Sequence, residues 1–472
     1  MTPFTLVATQ RDLARLRQIL HAAAPSEAAA YVLLGRARIP RDPWSGVPSE
    51  KFMVHEIVEI APDEILEQSP LRITWRTESF VRLLRRAREE GWVIGVVHSH
   101  PTGPTSFSGQ DDESESHLCA LLQRRNRTSD PLISIILAPH DTWLVRRWNS
   151  PAEVTMGTRI FVVGDRFHVR YADKVAAGVS PEAWARQALA LGESLVNDLR
   201  ALRVGVVGVG GTGSALVMQL ARLGIGHLLL VDADHVDETN LSRLHGATRS
   251  DARHARPKVT VMAREIARMG LGTKLSCIQA TVDDVSVQAP LAACDVIFGC
   301  TDDHDGRLLL NRLAYFYLTP VIDLGLGSFV DDREGGSLLS VEARVTVLVP
   351  GANCLLCHHV VDLAQARADR LRRMDPDRYA QEREEAYVVG EGNPSPAVVT
   401  FTTGVATLAL EEFLHRLQGF RGSVGHANNR VRFVHLASER RPGAIVNPNC
   451  LICQDDGYWG RGDMTPHLDR AG

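Results

Sequence analysis

The feature that most constrains the fold is a strand, a glycine-rich turn, a helix and a second strand, which follow one another directly after residue 202. RVGVVGVGG is followed by TGSALVMQLARLGI and then by HLLLVDAD. This order predicts a βαβ unit at the start of a doubly wound parallel sheet. The turn holds four glycines, which let backbone amides at a helix N-terminus approach a phosphate. These glycines are Gly208, Gly210, Gly211 and Gly213. A nucleotide site is therefore expected here, and an NAD-binding domain is the first alternative.

Polar residues downstream of this turn favour a triphosphate over a dinucleotide. Asp232 ends the second strand, where a carboxylate can accept hydrogen bonds from ribose hydroxyls. Two cations and an amide that gather near a phosphate turn suit ATP. These side chains are Asn240, Arg243 and Lys258. The segment CTDDHDGR ends a later predicted strand with Asp302 and Asp303, carboxylates of the kind that position magnesium.

A second candidate site lies in the first 150 residues, which have the strand and helix patterns of a mixed α/β unit. A strand that ends in His98-Ser-His100 places both imidazoles on one face, because side chains alternate along a strand. The Pro- and Gly-rich segment that follows can fold back and bring Asp111 to the same place. Three protein ligands and an open position are typical of a catalytic zinc, which makes a bound water acidic enough to attack a carbonyl.

Four of the eight cysteines form two CxxC pairs, Cys354/Cys357 and Cys450/Cys453. In a cytoplasmic protein such pairs indicate a metal rather than disulfides. Four thiolates leave no open position, so this zinc is expected to be structural. A redox role is the alternative reading, although neither pair opens a helix after a thioredoxin-like strand.

Length and composition indicate a multidomain globular protein. A chain of 472 residues with 44% hydrophobic and 23% charged content exceeds one core. The net charge of -4 gives no footprint for nucleic acid, and no apolar stretch is long enough to span a membrane. We expect a cytoplasmic enzyme with three segments, whose limits are 1–155, a connector at 156–180, and 181–472.

The N-terminal motif resembles the JAMM (JAB/MPN) metalloprotease family. The family pattern is His-x-His, seven residues, Ser, two residues and Asp, which is met by His98, His100, Ser108 and Asp111. The resemblance implies a cytidine-deaminase-like α/β fold over residues 1–155 and hydrolysis of a peptide or isopeptide bond. It also implies that Glu27, in PSEAAAYVLLG, is the general base and that Ser108 helps to hold the oxyanion.

From about residue 184 to 455 the chain resembles the adenylating domain of ubiquitin-activating enzymes and of the bacterial ThiF and MoeB proteins. GVGGTGS, DADHVDETNLSR and the Thr301-Asp302 pair followed by Arg307 match the family patterns, as do the two CxxC positions. The resemblance implies a Rossmann-like domain in which Asp232 binds ribose and Asn240, Arg243 and Lys258 contact phosphates. It assigns Asp302 to magnesium and to the reacting carboxylate. By the same resemblance, Arg186 in WARQALALG reaches ATP across a homodimer interface.

Together the two resemblances imply one bifunctional enzyme. The zinc site would cut at the tail of a ubiquitin-like or sulfur-carrier protein, and the second site would join the exposed carboxylate to AMP. The setting is either sulfur transfer or bacterial ubiquitin-like conjugation, such as that used in phage defence, with a separate conjugating enzyme as a further partner. Many relatives carry a nucleophilic cysteine between the zinc pairs, but residues 358–449 contain none, which puts a thioester in doubt. The alternatives are adenylation of a short peptide in antibiotic maturation, an NAD(P) oxidoreductase, and a binding module with inactive sites.

Overall fold

The chain folds around two sheets that are packed into one body. A computed structural model of the protein describes residues 2–171, 182–331, 338–384, 397–422 and 425–468. Within these ranges the first sheet has nine strands and the second has eight. No helix among the described residues has the length and apolar character needed to cross a bilayer.

The N-terminal unit is a mixed sheet with helices on both faces. In chain order the elements are β1 (Phe4–Thr9), α1 (Gln10–His21), β2 (Ala29–Ile39), β3 (Ser49–Glu59), β4 (Ile65–Ser69), β5 (Arg72–Trp75), α2 (Thr77–Glu90), β6 (Val93–Ser99), α3 (Gly109–Asn126), β7 (Leu132–Ala138), β8 (Thr142–Ser150), β9 (Glu153–Met156), β10 (Arg159–Val163) and β11 (His168–Tyr171). The strand order of the sheet is β11-β10-β1-β3-β2-β6-β7-β8-β9, and β4 and β5 form a separate hairpin.

Alternation of side chains along these strands decides which helix each face meets. Helix α1 buries Leu13, Leu16 and Leu20, the stripe that its periodicity predicts, against one face of the sheet. Helices α2 and α3 cover β2, β6 and β7 on the other face, where Val96 is buried. Because His98 lies two residues after Val96 on β6, its side chain points to the same face as α3.

The second unit is a doubly wound sheet with an antiparallel extension. Its order is β14-β13-β12-β15-β16-β17-β18-β19, parallel from β14 to β16 and antiparallel beyond. Its elements are α4 (Ala185–Leu191), α5 (Glu193–Ala201), β12 (Arg203–Val207), α6 (Gly211–Leu223), β13 (His227–Val231), α7 (Arg249–Arg253), α8 (Lys258–Met269), β14 (Lys274–Ile278), α9 (Val285–Ala292), β15 (Val296–Gly299), α10 (His304–Phe316), β16 (Val321–Val330), β17 (Leu338–Leu348), α11 (Leu363–Met374), α12 (Pro376–Glu384), α13 (Val399–Gln418), β18 (Asn429–Phe433) and β19 (Ser438–Arg440). The fold class predicted from the sequence, two α/β units of which the second is Rossmann-like, is confirmed.

Two local expectations change. The segment SPEAWARQALALGESLVNDL, residues 180–199, has a Ser-Pro-Glu start that predicts one helix. In the structure Gly192, at a φ of 85°, separates α4 from α5. The strong charge of the stretch 363–395 favours a loop, but α11 and α12 occupy 363–384, because charged residues suit exposed helices as well as loops. The segment RIFVVGDRFHVRYADKV, residues 159–175, predicts a hairpin followed by a connector. Its first part forms the antiparallel pair of β10 and β11, and β10 extends the first sheet through a parallel pairing with β1. Residues 172–181, which include the rest of the predicted connector, lie outside the described residues, as do 385–396 of the charged stretch.

The first unit docks on the amino ends of the parallel strands of the second. Arg159 forms an ion pair with Asp295 across the interface, with oxygen–nitrogen distances of 2.8 Å. The buried Lys51 ammonium donates to the Cys294 carbonyl, 2.8 Å away. The Trp44 indole donates to the Leu228 carbonyl at 3.0 Å. Asp295 and Leu228 lie at the start of β15 and β13, so this edge of the second sheet is covered.

The C-terminal segment 455–468 runs between the two units and contacts both. The Gly460 amide donates to the Tyr315 carbonyl at 3.0 Å, and the Asp463 amide donates to the Arg36 carbonyl at 2.9 Å. A side chain at Gly35 on β2 would meet the Gly460 carbonyl oxygen at 1.9 Å. This close backbone approach requires glycine at position 35.

Candidate catalytic and nucleotide sites

The three predicted zinc ligands converge at the carboxyl end of β6. The Nε2 atoms of His98 and His100 are 3.1 Å apart, and they lie 3.1 and 3.4 Å from the two carboxylate oxygens of Asp111. Donor atoms about 2.0–2.1 Å from a tetrahedral zinc lie about 3.3 Å from one another. The three side chains therefore fit zinc in both donor type and spacing.

Local hydrogen bonds orient these ligands. The Nδ1 of His100 is 3.2 Å from the Pro104 carbonyl and donates to it, which leaves Nε2 free to bind a metal. Ser108 begins helix α3 as its N-cap: its hydroxyl oxygen accepts from the Asp111 amide at 3.1 Å, and the Asp111 carboxylate accepts from the Ser108 amide at 2.6 Å. This reciprocal capping pattern fixes Asp111 at the helix end nearest the histidines.

Glu27, the predicted general base, is buried beside the three ligands just before β2. Burial raises the pKa of its carboxyl, and the imidazoles of His98 and His100 oppose that rise. The β4–β5 hairpin holds Glu27 through two hydrogen bonds of 2.9 Å. The backbone amide of Glu27 donates to the Ser69 carbonyl, and the side-chain amide of Gln68 donates to the Glu27 carbonyl. We did not predict this hairpin from the sequence, and its short strands give little signal.

A cavity of about 280 Å³ opens beside the cluster. The hairpin forms one wall with Leu71, Ile73 and Trp75, and helix α3 forms the other. Glu27, His98, His100, Ser108 and Asp111 all line it. An apolar cleft with convergent polar groups at one end is the usual form of a substrate site.

The four cysteines of the two CxxC pairs form the second candidate metal centre. The Sγ atoms of Cys354 and Cys450 are 3.6 Å apart, as are those of Cys357 and Cys453. Thiolates at about 2.3 Å from a tetrahedral zinc lie about 3.8 Å apart, so the cluster fits that ion. All four side chains are buried. A hydrogen bond from the Cys354 thiol lowers the pKa of Cys453.

The glycine-rich turn joins β12 to α6 at the opposite edge of the sheet from the first unit. Gly208 has a φ of 87°, and a Cβ there would lie 2.7 Å from the backbone of Cys300. A Cβ on Gly213 would meet the Gly208 carbonyl oxygen at 1.9 Å. Gly210 is the N-cap of α6 and Gly211 its first residue. The free amides at this helix start are suited to bind phosphate.

The other predicted nucleotide ligands surround this turn. Asp232 ends β13 and accepts from the Val209 amide at 2.5 Å, and burial raises its pKa. The Arg243 side chain lies against Gly211, so that a Cβ there would be 3.2 Å from it. Lys258 forms an ion pair with Asp234 at 2.7 Å, and the carbonyl oxygen of the buried Asn240 side chain lacks a hydrogen-bond partner among the described residues.

Asp302 and Asp303 are adjacent but differently engaged. Asp302 is exposed at the carboxyl end of β15. Asp303 is the N-cap of α10, accepting from the Gly306 amide at 2.6 Å, and it forms an ion pair with Arg373 of α11 at 3.0 Å. The sequence patterns did not point to Arg373. Magnesium binding by Asp303 stays a prediction, and Asp302 is the carboxylate with the fewer competing contacts.

Arg186 lies away from the turn of its own chain. It is exposed on α4, and the adjacent Gln187 donates to the Leu223 carbonyl at the far end of α6. A helix of 13 residues is about 20 Å long, so Arg186 lies roughly that far from the glycines at the other end.

Comparison with known proteins agrees with both halves of this geometry. Residues 184–452 match the model of the ThiF family, over more than half of the chain. The chain belongs to the ThiF family. Residues 9–150 match prokaryotic homologs of the JAB domain, so the protein joins a JAB-type unit to a ThiF unit. Both resemblances predicted from the sequence are confirmed; the segment limits stay predictions.

Relatives of known function match about a third of the chain. The SAMP-activating enzyme E1 of Haloferax volcanii is 30% identical over 155 residues, which is 33% of this chain and 52% of that protein. The molybdopterin-synthase adenylyltransferase of Salmonella typhimurium is 32% identical over 170 residues, 35% of this chain and 61% of the relative. The chain thus spans between half and two thirds of these relatives. Among solved structures, E. coli MccB with AMPCPP and MccA is similar at a TM-score of 0.45 and 19% identity, covering 59% of this chain and 75% of that one.

Proposed function

We propose that this protein hydrolyses a peptide or isopeptide bond at the tail of a small ubiquitin-like or sulfur-carrier protein and activates the tail carboxylate as an acyl adenylate. The observation that carries the proposal is the cluster of His98, His100 and Asp111 at a cavity shared with the buried Glu27, in a chain whose remainder is a ThiF unit. A protease creates a free carboxylate, and an adenylating enzyme consumes one. The two chemistries therefore suit one substrate.

In the JAB-type unit, the residues divide the work of hydrolysis. Zinc, when bound, supplies Lewis acidity toward a carbonyl and a water. Glu27, whose pKa is raised by burial, takes a proton from the attacking water and returns it to the leaving amine. Ser108, whose hydroxyl oxygen already accepts from Asp111, has a hydroxyl hydrogen left to donate to the developing oxyanion.

In the ThiF unit, the glycine turn and α6 hold the phosphates of ATP, and Asp232 receives the ribose hydroxyls. Arg243, Lys258 and Asn240 contact the phosphates. Asp302 would hold magnesium, which would neutralise phosphate charge when bound. The tail oxygen attacks the α-phosphorus and pyrophosphate leaves, which gives the acyl-AMP product.

A thiol in another protein then receives the acyl group. No cysteine occurs from 358 to 449. Burial raises the pKa of Cys300, so this thiol is not a ready nucleophile at neutral pH. The exposed Cys277 lies on β14, where its thiol donates to the Val259 carbonyl at 3.7 Å. We therefore propose that a separate conjugating protein or sulfur donor takes over the activated tail.

The position of Arg186 supports a homodimer. At roughly 20 Å from the phosphate turn of its own chain, it is out of reach of a nucleotide bound there. A second copy that packs against α4 would bring this guanidinium to the partner's turn. Arg186→Ala is then expected to lower ATP–pyrophosphate exchange without changing cleavage.

The two sites lie on opposite sides of the interface between the units. On β2, Ala29 pairs with His98 and Arg36 bridges to Gly462, so about seven residues, or about 23 Å of strand, separate the zinc cluster from the interface. On β12, five residues, or about 16 Å, separate Arg203 at the interface from the turn at Gly208. We therefore propose that the tail leaves one site before it enters the other.

Two single variants test the division of labour. Small β-grasp proteins from the same source, with and without a C-terminal extension, serve as probes for tail cleavage and for ATP–pyrophosphate exchange. His100→Ala is expected to abolish cleavage and preserve exchange, and Asp302→Ala to do the reverse. Loss of both activities in either folded variant would contradict independent sites, and hydride transfer without exchange would favour an oxidoreductase.

A further inference from the structure

One arginine outside the assigned sites contacts both segments that deliver Asp111. Arg146 lies on β8 with only 4% of its surface exposed. Its Nε donates to the Glu115 carboxylate at 2.7 Å, and its Nη1 donates to that of Asp112 at 2.5 Å. Both carboxylates belong to the first two turns of α3, and Asp112 directly follows the metal-binding Asp111.

The same guanidinium contacts the loop before α3. The Phe107 ring lies 3.8 Å from the Arg146 guanidinium carbon, in the distance range of a cation–π contact. Phe107 belongs to the segment that connects His100 to Ser108. The loop and the helix on either side of Ser108 are thus held by one side chain.

The surroundings of Arg146 make this arrangement specific. The Trp148 indole donates to the same Glu115 oxygen at 2.7 Å, and its ring lies 5.1 Å from the guanidinium. Two carboxylates and two aromatic rings around one buried cation require a planar group with several donors. A lysine ammonium is a point charge that cannot form the same set of contacts.

We propose that Arg146 is a positioning residue for the zinc cluster: it holds the His100–Ser108 loop and the first turns of α3 so that the Asp111 carboxylate faces the two histidines. Loss of a group that hydrogen-bonds a zinc ligand typically lowers metal affinity by about 10- to 100-fold. Arg146 acts one contact further out, through Asp112 and Glu115, so the lower end of that range is expected. The inference about metal binding stands on geometry; only its consequence for cleavage rests on the proposed function.

The adjacent arginine provides a matched control. Arg147 is equally buried, at 3% exposure, on the same strand. Because side chains alternate, it points to the other face, where its guanidinium pairs with Glu50 and donates to the Thr2 carbonyl at 2.9 Å. Arg147→Met therefore removes a buried strand arginine without touching α3.

The test measures metal binding in the full-length protein. Zinc affinity is determined by competition with a chromophoric chelator for the wild type, Arg146→Met, Arg146→Lys and Arg147→Met. In a parallel sample, cobalt is added after the four-cysteine cluster is filled with zinc, and the absorption bands report the geometry at the histidines. We expect both Arg146 variants to lose about 10-fold or more in affinity and to show altered cobalt bands, whereas Arg147→Met keeps both.

Cleavage and exchange assays show which of the two candidate sites an Arg146 variant impairs. For Arg146→Met, kcat for cleavage is expected to fall with KM little changed, while ATP–pyrophosphate exchange stays at the wild-type rate. If Arg146→Met unfolds the protein, Glu115→Gln retains the shape of the cluster and is expected to show a weaker loss of the same kind. Zinc affinity and cobalt bands that match those of Arg147→Met would overturn the proposal. If the Arg146 variants lose zinc affinity as expected but the wild-type protein cleaves no substrate, the positioning role stands and only the peptidase function is refuted.

Discussion

The ion pair between Asp295 and Arg159 is predicted to contribute much of the stability of the interface between the units. The side chains are 1% and 9% exposed, and two oxygen–nitrogen contacts of 2.8 Å join them. Asp295 also accepts from the Arg203 amide at 2.9 Å. Replacing Asp295 with Ala leaves a buried guanidinium and an amide without their acceptor. Removal of one partner of a buried pair typically costs about 3–5 kcal/mol.

Urea denaturation measures this loss. With an m-value of about 3 kcal/mol per molar, 3–5 kcal/mol corresponds to a fall in the midpoint of the first transition of about 1 M or more. Tryptophan fluorescence reports on the interface, because the Trp44 indole donates across it to the Leu228 carbonyl. Activity at both sites is expected to persist below the transition, since neither site contacts Asp295.

The control is an ion pair on the surface. Glu89 pairs with Arg85 on α2, where the two side chains are 54% and 77% exposed. Glu89→Ala is expected to cost about 0.3–0.5 kcal/mol. A loss for Asp295→Ala as small as that for Glu89→Ala would refute the argument that burial makes this pair important.

Four other predictions concern the two candidate sites, the buried Lys51 and the four-cysteine cluster. An equimolar mixture of His100→Ala and Asp302→Ala is expected to convert an extended carrier into its adenylate at the wild-type rate per active site; a rate several-fold lower would indicate direct transfer. Burial lowers the pKa of Lys51 to about 8, so between about pH 8 and 10.5 this amine is protonated in the unfolded chain but not in the folded one. The free energy of unfolding should therefore rise with pH across that window, by up to about 3 kcal/mol. A Lys51→Met variant with the same rise would exclude Lys51 as its source. Gly213→Val is expected to abolish ATP–pyrophosphate exchange and spare cleavage, because its Cβ would meet the Gly208 carbonyl oxygen at 1.9 Å. Exchange at the wild-type rate would show that the turn can rearrange. Cys453→Ser is expected to remove one metal equivalent and to expose the segment 455–468 to proteolysis, and unchanged metal content by elemental analysis would contradict a four-cysteine site.

Much of the candidate chemistry could be predicted because it depends on short, local patterns. His98 and His100 share a face through the period of a strand, and the capping pattern of Ser108 with Asp111 follows from their spacing of three residues. The glycine turn is equally local, since Gly208 and Gly213 are close in the chain as well as in space. Such features need no knowledge of distant contacts.

Other features depend on residues far apart in the chain, which no local sequence pattern pairs with one another. Arg146 is separated from Asp112 by 34 positions, and the contact exists only because β8 lies beneath α3. Glu27 is held by a hairpin some 40 residues away. Arg373 reaches Asp303 from 70 positions away, through the packing of α11 on α10.

Residue patterns alone indicate a candidate metal site and a phosphate-binding turn, because both need particular residue types at fixed short spacings. The arrangement of these two candidate sites depends on the tertiary structure. The first sheet docks on the amino ends of β12, β13 and β15, while the predicted nucleotide ligands lie at their carboxyl ends. Because a parallel strand presents its two ends to opposite edges of the sheet, this docking points the two sites away from each other. That direction depends on a packing of two folded surfaces, which no local pattern encodes.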